Sequence, residues 1–301
     1  MAMGSKSIID LAIFDLGGTV CDGIDEATGL ANIGPINALK FSLKEVWDID
    51  PGYDVILPHM ATRKLDHLYA ILTTPSITEE FIEKHGRPPT REDAQITFDT
   101  AFKRILEIDE MPGRSEPFPG VIEMFEGLRA KDIKIGINTG FYAKAVRIIL
   151  ANFGNNHLIE SDVGADEVSQ ARPYPYMMFK AMDDLGIADV HRVMKVGDVY
   201  PTDFLEGYNL GGISVGVTEC GNTRPASAWK PIVHNSRELR PVDWFGCTLK
   251  DKDALFRSWL SESAEKGTRL PYPMVLIPHS SQLNNLIDEM EQIEELFCSF
   301  I

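Results

Sequence analysis

The rhythm of apolar and polar positions changes twice along the chain. Residues 8–15, IIDLAIFD, form a short apolar and β-branched run ended by Asp15 and the glycine-rich LGGT. That is the pattern of a buried strand opening into a tight loop. From about Asp22 to Pro119 a helical period takes over: PINALKFSLKEVW, ATRKLDHLYAIL, ITEEFIEKHG and REDAQITFDTAFKRILEI repeat apolar residues three or four apart, with no strand pattern between them. Alternation then begins, with helix VIEMFEGLRAK, strand IKIGIN, helix YAKAVRIILANF, a short strand around Ile159, helix YPYMMFKAMDDLG, strand VMKVGD, helix TDFLEGYNLG and strand GISVGVT.

Strands alternating with helices predict βαβ units and a parallel sheet covered on both faces. The expected fold is α/β: a Rossmann-like, doubly wound parallel sheet core from residues 1–22 and 117–301, with an α-helical cap inserted over 23–116. The cap's borders, CDGIDEATG and EMPGRSEPFPG, are turn-rich and read as hinges. The tail from about Gly221 reads as less regular until MVLI and SQLNNLIDEMEQIEELF add one strand and a closing amphipathic helix. In that helix the acidic run DEMEQIEE reads as the solvated face.

Composition narrows the partners. The 301 residues are 44% hydrophobic, enough for a substantial core, and carry a formal net charge of -16. That charge argues against sequence-independent binding to nucleic acid or an anionic membrane, which needs dense Lys/Arg clusters. An anionic ligand therefore has to be held by a local group of cations, amides or metal. No apolar run approaches the roughly 20 residues of a spanning helix, and the opening MAMGSKSIID lacks a signal-like apolar stretch, so a cytoplasmic protein is expected. Cys21, Cys220, Cys247 and Cys298 form no CxxC pair and read as reduced thiols.

In an open parallel sheet, ligands bind beyond the carboxyl ends of the strands. The residues predicted there are Asp15 with Gly17, Gly18 and Thr19; Asn138, Thr139 and Gly140; Arg172 in ARPYPY; and Gly197 and Asp198 followed by Asp203. Each alone is ordinary turn chemistry. Together they make a set that could hold a divalent cation on Asp15 and Asp198 and a phosphoryl group on Thr139, amides and Arg172. One further stretch, HMATRKLDH, sets Met60, Lys64 and His67 at helical spacing beside Leu65, Leu68 and Ile71. Taken alone, Lys64 reads as a snorkelling surface lysine. His59, next to Pro58, reads as a helix-start residue, and Cys21 as a buried, inert thiol.

FDLGGT, NTG, the arginine before PYPY, and KVGDVYPTD resemble the four motifs of the haloacid dehalogenase superfamily. The resemblance implies Asp15 as a nucleophile that forms an aspartyl phosphate and Mg²⁺ as cofactor, held by Asp15, Gly17, Asp198 and Asp203. The family's phosphatases carry an acid two positions after the nucleophile to protonate a leaving alkoxide. Here that position is Gly17. A leaving carbon needs no such acid if a lysine imine accepts its electrons.

MATRKLDH resembles the cap-helix motif of the phosphonoacetaldehyde hydrolase branch, where a cap lysine forms a Schiff base with the substrate aldehyde. The resemblance implies Lys64 as that lysine, Met60 beside it and His67 assisting proton transfer. Thr139 and Arg172 complete the catalytic set, and Gly18, Gly140 and Phe141 contact substrate. Burial beside Arg63 and Arg172 is expected to lower the Lys64 pKa. The partner expected is a small phosphonate, and the branch implies a homodimer through the cap. The sequence departs from the branch at Ala61, where glycine is usual, at Phe141, where tyrosine is usual, and in the five-residue step from Asp198 to Asp203. A Mg²⁺-dependent phosphomonoesterase and a non-catalytic phosphate-binding protein remain as alternatives.

Overall fold

The apolar run Leu11–Phe14 forms the first strand, β1, buried along its whole length. The computed structural model describes residues 7–22, 29–30, 33–60, 62–105, 116–151, 153–154, 156–200, 202–224, 226–234, 237–265 and 274–298. The two expected hinges lie largely outside the described residues, as does Ala61. After β1 come α1 (Ile33–Trp47), α2 (Tyr53–Ile56), α3 (Lys64–Leu72), α4 (Pro75–His85), α5 (Arg91–Thr97) and α6 (Lys103–Ile105). A π-helical stretch, Phe98–Phe102, joins the last two. The alternating region is α7 (Val121–Ala130), β2 (Lys134–Thr139), α8 (Ala143–Ala151), β3 (Ser161–Gly164), α9 (Tyr176–Leu185), β4 (Val193–Gly197), α10 (Thr202–Leu210) and β5 (Ile213–Val217). The tail holds β6 (Ile232–His234), β7 (Arg237–Leu239), β8 (Pro241–Asp243), α11 (Leu249–Glu265), β9 (Met274–Ile277) and α12 (Leu283–Cys298).

Seven strands make one parallel sheet in the order β3-β2-β1-β4-β5-β9-β8, so the expected Rossmann-like core with a helical cap is the fold observed. Successive side chains of β1 serve opposite faces. Ala12 and Phe14 join one hydrophobic cluster, which also takes residues of α7, α8, α12 and the cap. Leu11 and Ile13 join another, packed by Met177, Met178 and Ala181 of α9. Phe14 meets Phe125 of α7 edge to face at 5.2 Å between ring centres. The cap closes around Leu39, Leu68, Phe81 and Phe102, and a capping box between Thr90 and Asp93 starts α5.

Three expectations are corrected. The strand expected around Ile159 is Ser161–Gly164, preceded by a 3-10 turn at Asn156–Leu158. The tail is more regular than expected, because β6 and β7 pair as an antiparallel hairpin, β8 extends the sheet beside β9, and α11 spans 17 residues. Met60 is not on the same helix as Lys64 and His67. A 3-10 turn covers Leu57–His59, and Arg63, at φ -54 and ψ 131, is extended, so α3 starts only at Lys64.

Phe125→Ala is expected to lower the unfolding free energy by about 3–5 kcal/mol, because it leaves a cavity against Phe14 in a close-packed core. Phe41→Ala, at a cap position that is 48% exposed, should change it by about 0.5 kcal/mol or less. Denaturant titration separates the two, and equal losses would contradict this placement of the core.

Candidate active site

Strand order reverses about β1: β2 lies on one side of it and β4 on the other, which opens a crevice at their carboxyl ends. The Asp15 amide bonds the Val196 carbonyl at 2.8 Å, fixing that residue just beyond the sheet edge. Thr139 ends β2, Asp198 follows β4, and Arg172 comes from the loop between β3 and α9. Lys64, first residue of α3, comes from the cap. Asp15, Gly17, Lys64, Thr139, Phe141 and Arg172 border one cavity of about 20 Å³, with Met60 and Gly140 also on its wall. The cap residue thus lies across a small cavity from the strand-end residues.

Buried charge organises the floor. Arg172 donates through Nη2 to Asp15 Oδ1 at 2.9 Å and through Nη1 to Asp203 Oδ1. Its Nε lies 3.9 Å from Glu206 Oε2. Lys195, in mid-β4, bonds Asn138 Oδ1 and lies 3.3 Å from both Asp203 and Glu206. Burial works to raise the Asp15 pKa, but the charges of Arg172 and Lys195 and the Arg172 hydrogen bond bring it below the usual carboxylate range. Asp198 behaves in the opposite way. Burial, then the negative charges of Asp15 and Asp203, push it up to about 7, despite donation from Thr19 Oγ1 and from the Asn222 amide. The excess of buried carboxylates is therefore relieved at Asp198, which holds its proton more tightly than a free carboxyl does.

Lys64 is only 4% exposed. Burial lowers its pKa to about 8, with Asp15 pulling it up and Arg172 pushing it down. Its Nζ lies 5.2 Å from the centre of the Phe141 ring. A fully buried lysine held near neutral pH is a reagent-like environment, not that of a snorkelling side chain. Arg63 is not the cause of this shift, as had been expected. Its guanidinium turns away and donates to the carbonyls of Ala165 and Val168.

Four expected residues, Gly18, His67, Asp198 and Asp203, are not on the cavity wall. Gly18, at φ +83, uses its amide to bond the Cys21 carbonyl at 2.7 Å, so that amide is not available to a ligand. His67 is buried inside the cap, with Nε2 donating to the Ile56 carbonyl at 2.7 Å and Nδ1 left without a partner. Burial, then the charge of Lys64, hold its pKa well below the usual range, so the ring is neutral. Asp203, expected as a metal ligand, has Oδ1 on Arg172 and Oδ2 on the Val199 amide at 3.0 Å. It lies close to the other carboxylates but is already engaged. Cys21 is buried, and its pKa is raised well above the usual value by burial and by nearby carboxylates, as fits an inert thiol.

Sequence reasoning missed Pro35, Val199 and Asn222 on the wall and Lys195 and Glu206 beneath it. Asn222 had a legible signal, because it follows the end of β5 in GVTECGN. The neighbouring Gly221 leaves room for Asp198, since a Cβ there would come 2.1 Å from the Asp198 Cβ. Lys195 had a weaker one, a lone charge within the apolar strand VMKVG.

A family model described as haloacid dehalogenase-like hydrolase matches residues 9–205. A protein named phosphonoacetaldehyde hydrolase from Parabacteroides distasonis is 32% identical over 234 residues, which cover 74% of this chain and 88% of that one. Another of that name, from Vibrio vulnificus, is 31% identical over 221 residues, covering 72% and 78%. Among solved structures, a phosphonoacetaldehyde hydrolase like protein from Oleispira antarctica shares the fold, with a TM-score of 0.70 at 22% identity over 96% of this chain and 95% of that one. Among the described residues, no helix is long and apolar enough to cross a membrane.

Asp15, Asp198 and Asp203 offer carboxylate oxygens within 4.8 Å of one another, a hard-oxygen donor set that fits a divalent cation. A divalent cation there would offset the negative charges that raise the Asp198 pKa. Folded protein then holds a proton on Asp198 that the unfolded chain has lost, a stabilisation that fades as pH rises through about 7. Without metal, Tm is expected to be higher near about pH 6 than near about pH 8, and added Mg²⁺ should raise Tm more at the higher pH. Calorimetry in which Mg²⁺ shifts Tm equally at both values would remove Asp198 from the ligand set.

Proposed function

Because the chain belongs to the haloacid dehalogenase-like hydrolase family, and within it to the phosphonoacetaldehyde hydrolase branch, we propose that it cleaves the carbon–phosphorus bond of phosphonoacetaldehyde to give acetaldehyde and phosphate. The observation that carries this reading is the buried Lys64 amine, with its pKa near 8, in the same cavity as Asp15 and Arg172. Gly17 supports it from the other side, since an alkoxide leaving group would lack its acid there, a loss of about 10²- to 10⁴-fold in rate.

In the proposed course, the Lys64 amine condenses with the substrate aldehyde and releases water, giving an iminium one bond from the carbon that carries phosphorus. Asp15, kept ionised by Arg172 and Lys195, attacks phosphorus as the P–C bond breaks and its electron pair moves into the iminium, which becomes an enamine. Arg172, already on Asp15, is placed to donate to the phosphoryl oxygens, as is the Thr139 hydroxyl. Protonation of the enamine carbon and hydrolysis release acetaldehyde and free Lys64. Water then splits the aspartyl phosphate and restores Asp15. A Mg²⁺ ion held by Asp15, Asp198 and the Gly17 carbonyl would neutralise charge on the phosphoryl oxygens. Asp203 serves this set by holding Arg172.

His67 contributes as a neutral neighbour. An imidazolium beside Lys64 would depress the amine further, whereas the neutral ring leaves Nδ1 as a proton acceptor in the layer next to it. Met60 and Phe141 give the aldehyde end an apolar wall. Small phosphonates are thus the partner class, in keeping with the chain's negative charge and local cations. Assembly through the cap and a cytoplasmic location are proposed with this reading.

Borohydride added during turnover is expected to reduce the iminium and leave a stable alkyl group on Lys64, located by peptide mapping. An unmodified Lys64 in protein that releases phosphate would sink the imine route. Lys64→Arg should cut acetaldehyde release on the order of 10³-fold or more while leaving any phosphate-ester hydrolysis nearly intact. Because burial lowers the Lys64 pKa, the neutral amine becomes plentiful above about pH 8 instead of above about 10.4. The trapping rate at fixed substrate should rise about tenfold per pH unit below that point and then flatten. A rise continuing past about pH 10 would show an ordinary, solvated lysine.

A further inference from the structure

Arg63 immediately precedes Lys64, at the N-terminal boundary of α3, yet its side chain belongs to the other domain. Nε and Nη2 donate to the Ala165 carbonyl at 3.1 and 2.6 Å, and Nη2 also reaches the Val168 carbonyl at 2.7 Å. Both acceptors sit in the turn after β3, on the core. That turn is a fixed frame. The Gly164 amide donates to Glu167 Oε2 at 2.8 Å, Arg147 holds Glu167 from α8, and Asp166 Oδ1 accepts from the Ala143 amide at 2.8 Å. Gly164 packs so closely that a Cβ there would come 2.3 Å from the Ala143 nitrogen.

The same turn leads back to the lysine. The Ala165 amide donates to the Phe141 carbonyl at 2.7 Å, and the Phe141 ring faces Lys64 Nζ. Arg63, Ala165, Phe141 and Lys64 thus close a ring of contacts that leaves the cap at one residue and returns to it at the next. Lys64 and Phe141 both border the cavity, so the Arg63 bonds to this turn set where the cap lysine stands relative to the strand-end residues. A planar guanidinium that spans two carbonyls is directional in a way that a lysine in its place would not be.

We infer that Arg63 is a positioning residue: a latch that fastens the cap to the β3–α9 turn and so delivers Lys64 into the cavity when the cap is closed. What Lys64 does there rests on the proposed function; where it is held does not.

The test is competitive acetylation of native protein, Arg63→Ala and Arg63→Lys without substrate, read by peptide mapping. Lys44, whose side chain is 51% exposed, is the accessible reference, and Lys195, 1% exposed in the core, is the control for folding. Labelling of Lys64 relative to Lys44 is expected to rise about tenfold in Arg63→Ala and several-fold in Arg63→Lys, with Lys195 still protected. In turnover of phosphonoacetaldehyde, Arg63→Ala should lower kcat about tenfold and change KM less than about threefold.

If Arg63→Ala exposes Lys195 as well, Arg63→Lys decides. Lys64 as protected in a folded variant as in native protein overturns the latch, and so does loss of Lys195 protection in both variants, which would make Arg63 a general stabiliser. Native protein inactive on phosphonoacetaldehyde, with Lys64 labelling still governed by Arg63, would remove the proposed reaction and leave the latch standing.

Discussion

The guanidinium of Arg172 is the interaction on which the site depends. Asp15, Asp198, Asp203 and Glu206 are all buried where the strands of a parallel sheet end, and carboxylates gathered away from water repel one another strongly. Arg172 touches Asp15 and Asp203 and approaches Glu206, while Lys195 serves the last two from beneath. Two cations for four carboxylates leave a deficit, and its distribution is uneven. Asp15 receives the direct hydrogen bond and stays ionised; Asp198, farther from the cations, is driven toward protonation. The difference between an ionised Asp15 and an Asp198 that holds its proton to about pH 7 thus follows from which carboxylate Arg172 touches.

The cap answers to the same field from above. Burial alone would strip Lys64 of its proton more completely, and the Arg172 charge works in that direction, but Asp15 opposes both. The outcome is an amine that changes state near pH 8, within reach of neutral conditions. A protein with a net charge of -16 gathers buried cations here, Arg172, Lys195 and Lys64, as the proposed phosphonate substrate would require.

Much of this was legible in the sequence, and the parts that were not share a cause. β1, the alternating region and the residues at its strand ends could be read because a buried strand and a glycine turn leave local marks, and because strand order concentrates ligands at one edge. The tail was harder. Its strands β6, β7 and β8 are three residues each, β8 starts with a proline, and Val233 of β6 is largely exposed, so no period of two can build up. The spacing of Met60, Lys64 and His67 suggested one helical face, but a backbone angle at Arg63 undid it. Lys195, Glu206 and Asn222 have hydrogen-bond partners 57, 68 and 24 positions away in the chain, Asn138 for the first two and Asp198 for the third, and no local pattern announces such pairs. Arg63 was noticed as a charge beside Lys64, when its importance lies in carbonyls 102 and 105 residues distant.

Gly17 acquires a second meaning from these electrostatics. In chemical terms it is the place where an acid for an alkoxide leaving group is lacking. In electrostatic terms, a carboxylate there would be a further negative charge on the cavity wall, beside Asp15 and close to Lys64. Asp15 already raises the Lys64 pKa against burial, and a second carboxylate at comparable range would raise it again, returning the amine to its charged and unreactive form. It would also compete for Arg172 and push Asp198 further toward its protonated state. An acid two positions after the nucleophile and a neutral lysine in the same cavity therefore work against each other. A site arranged for the imine route is expected to have a small uncharged residue at that position, and this chain has glycine.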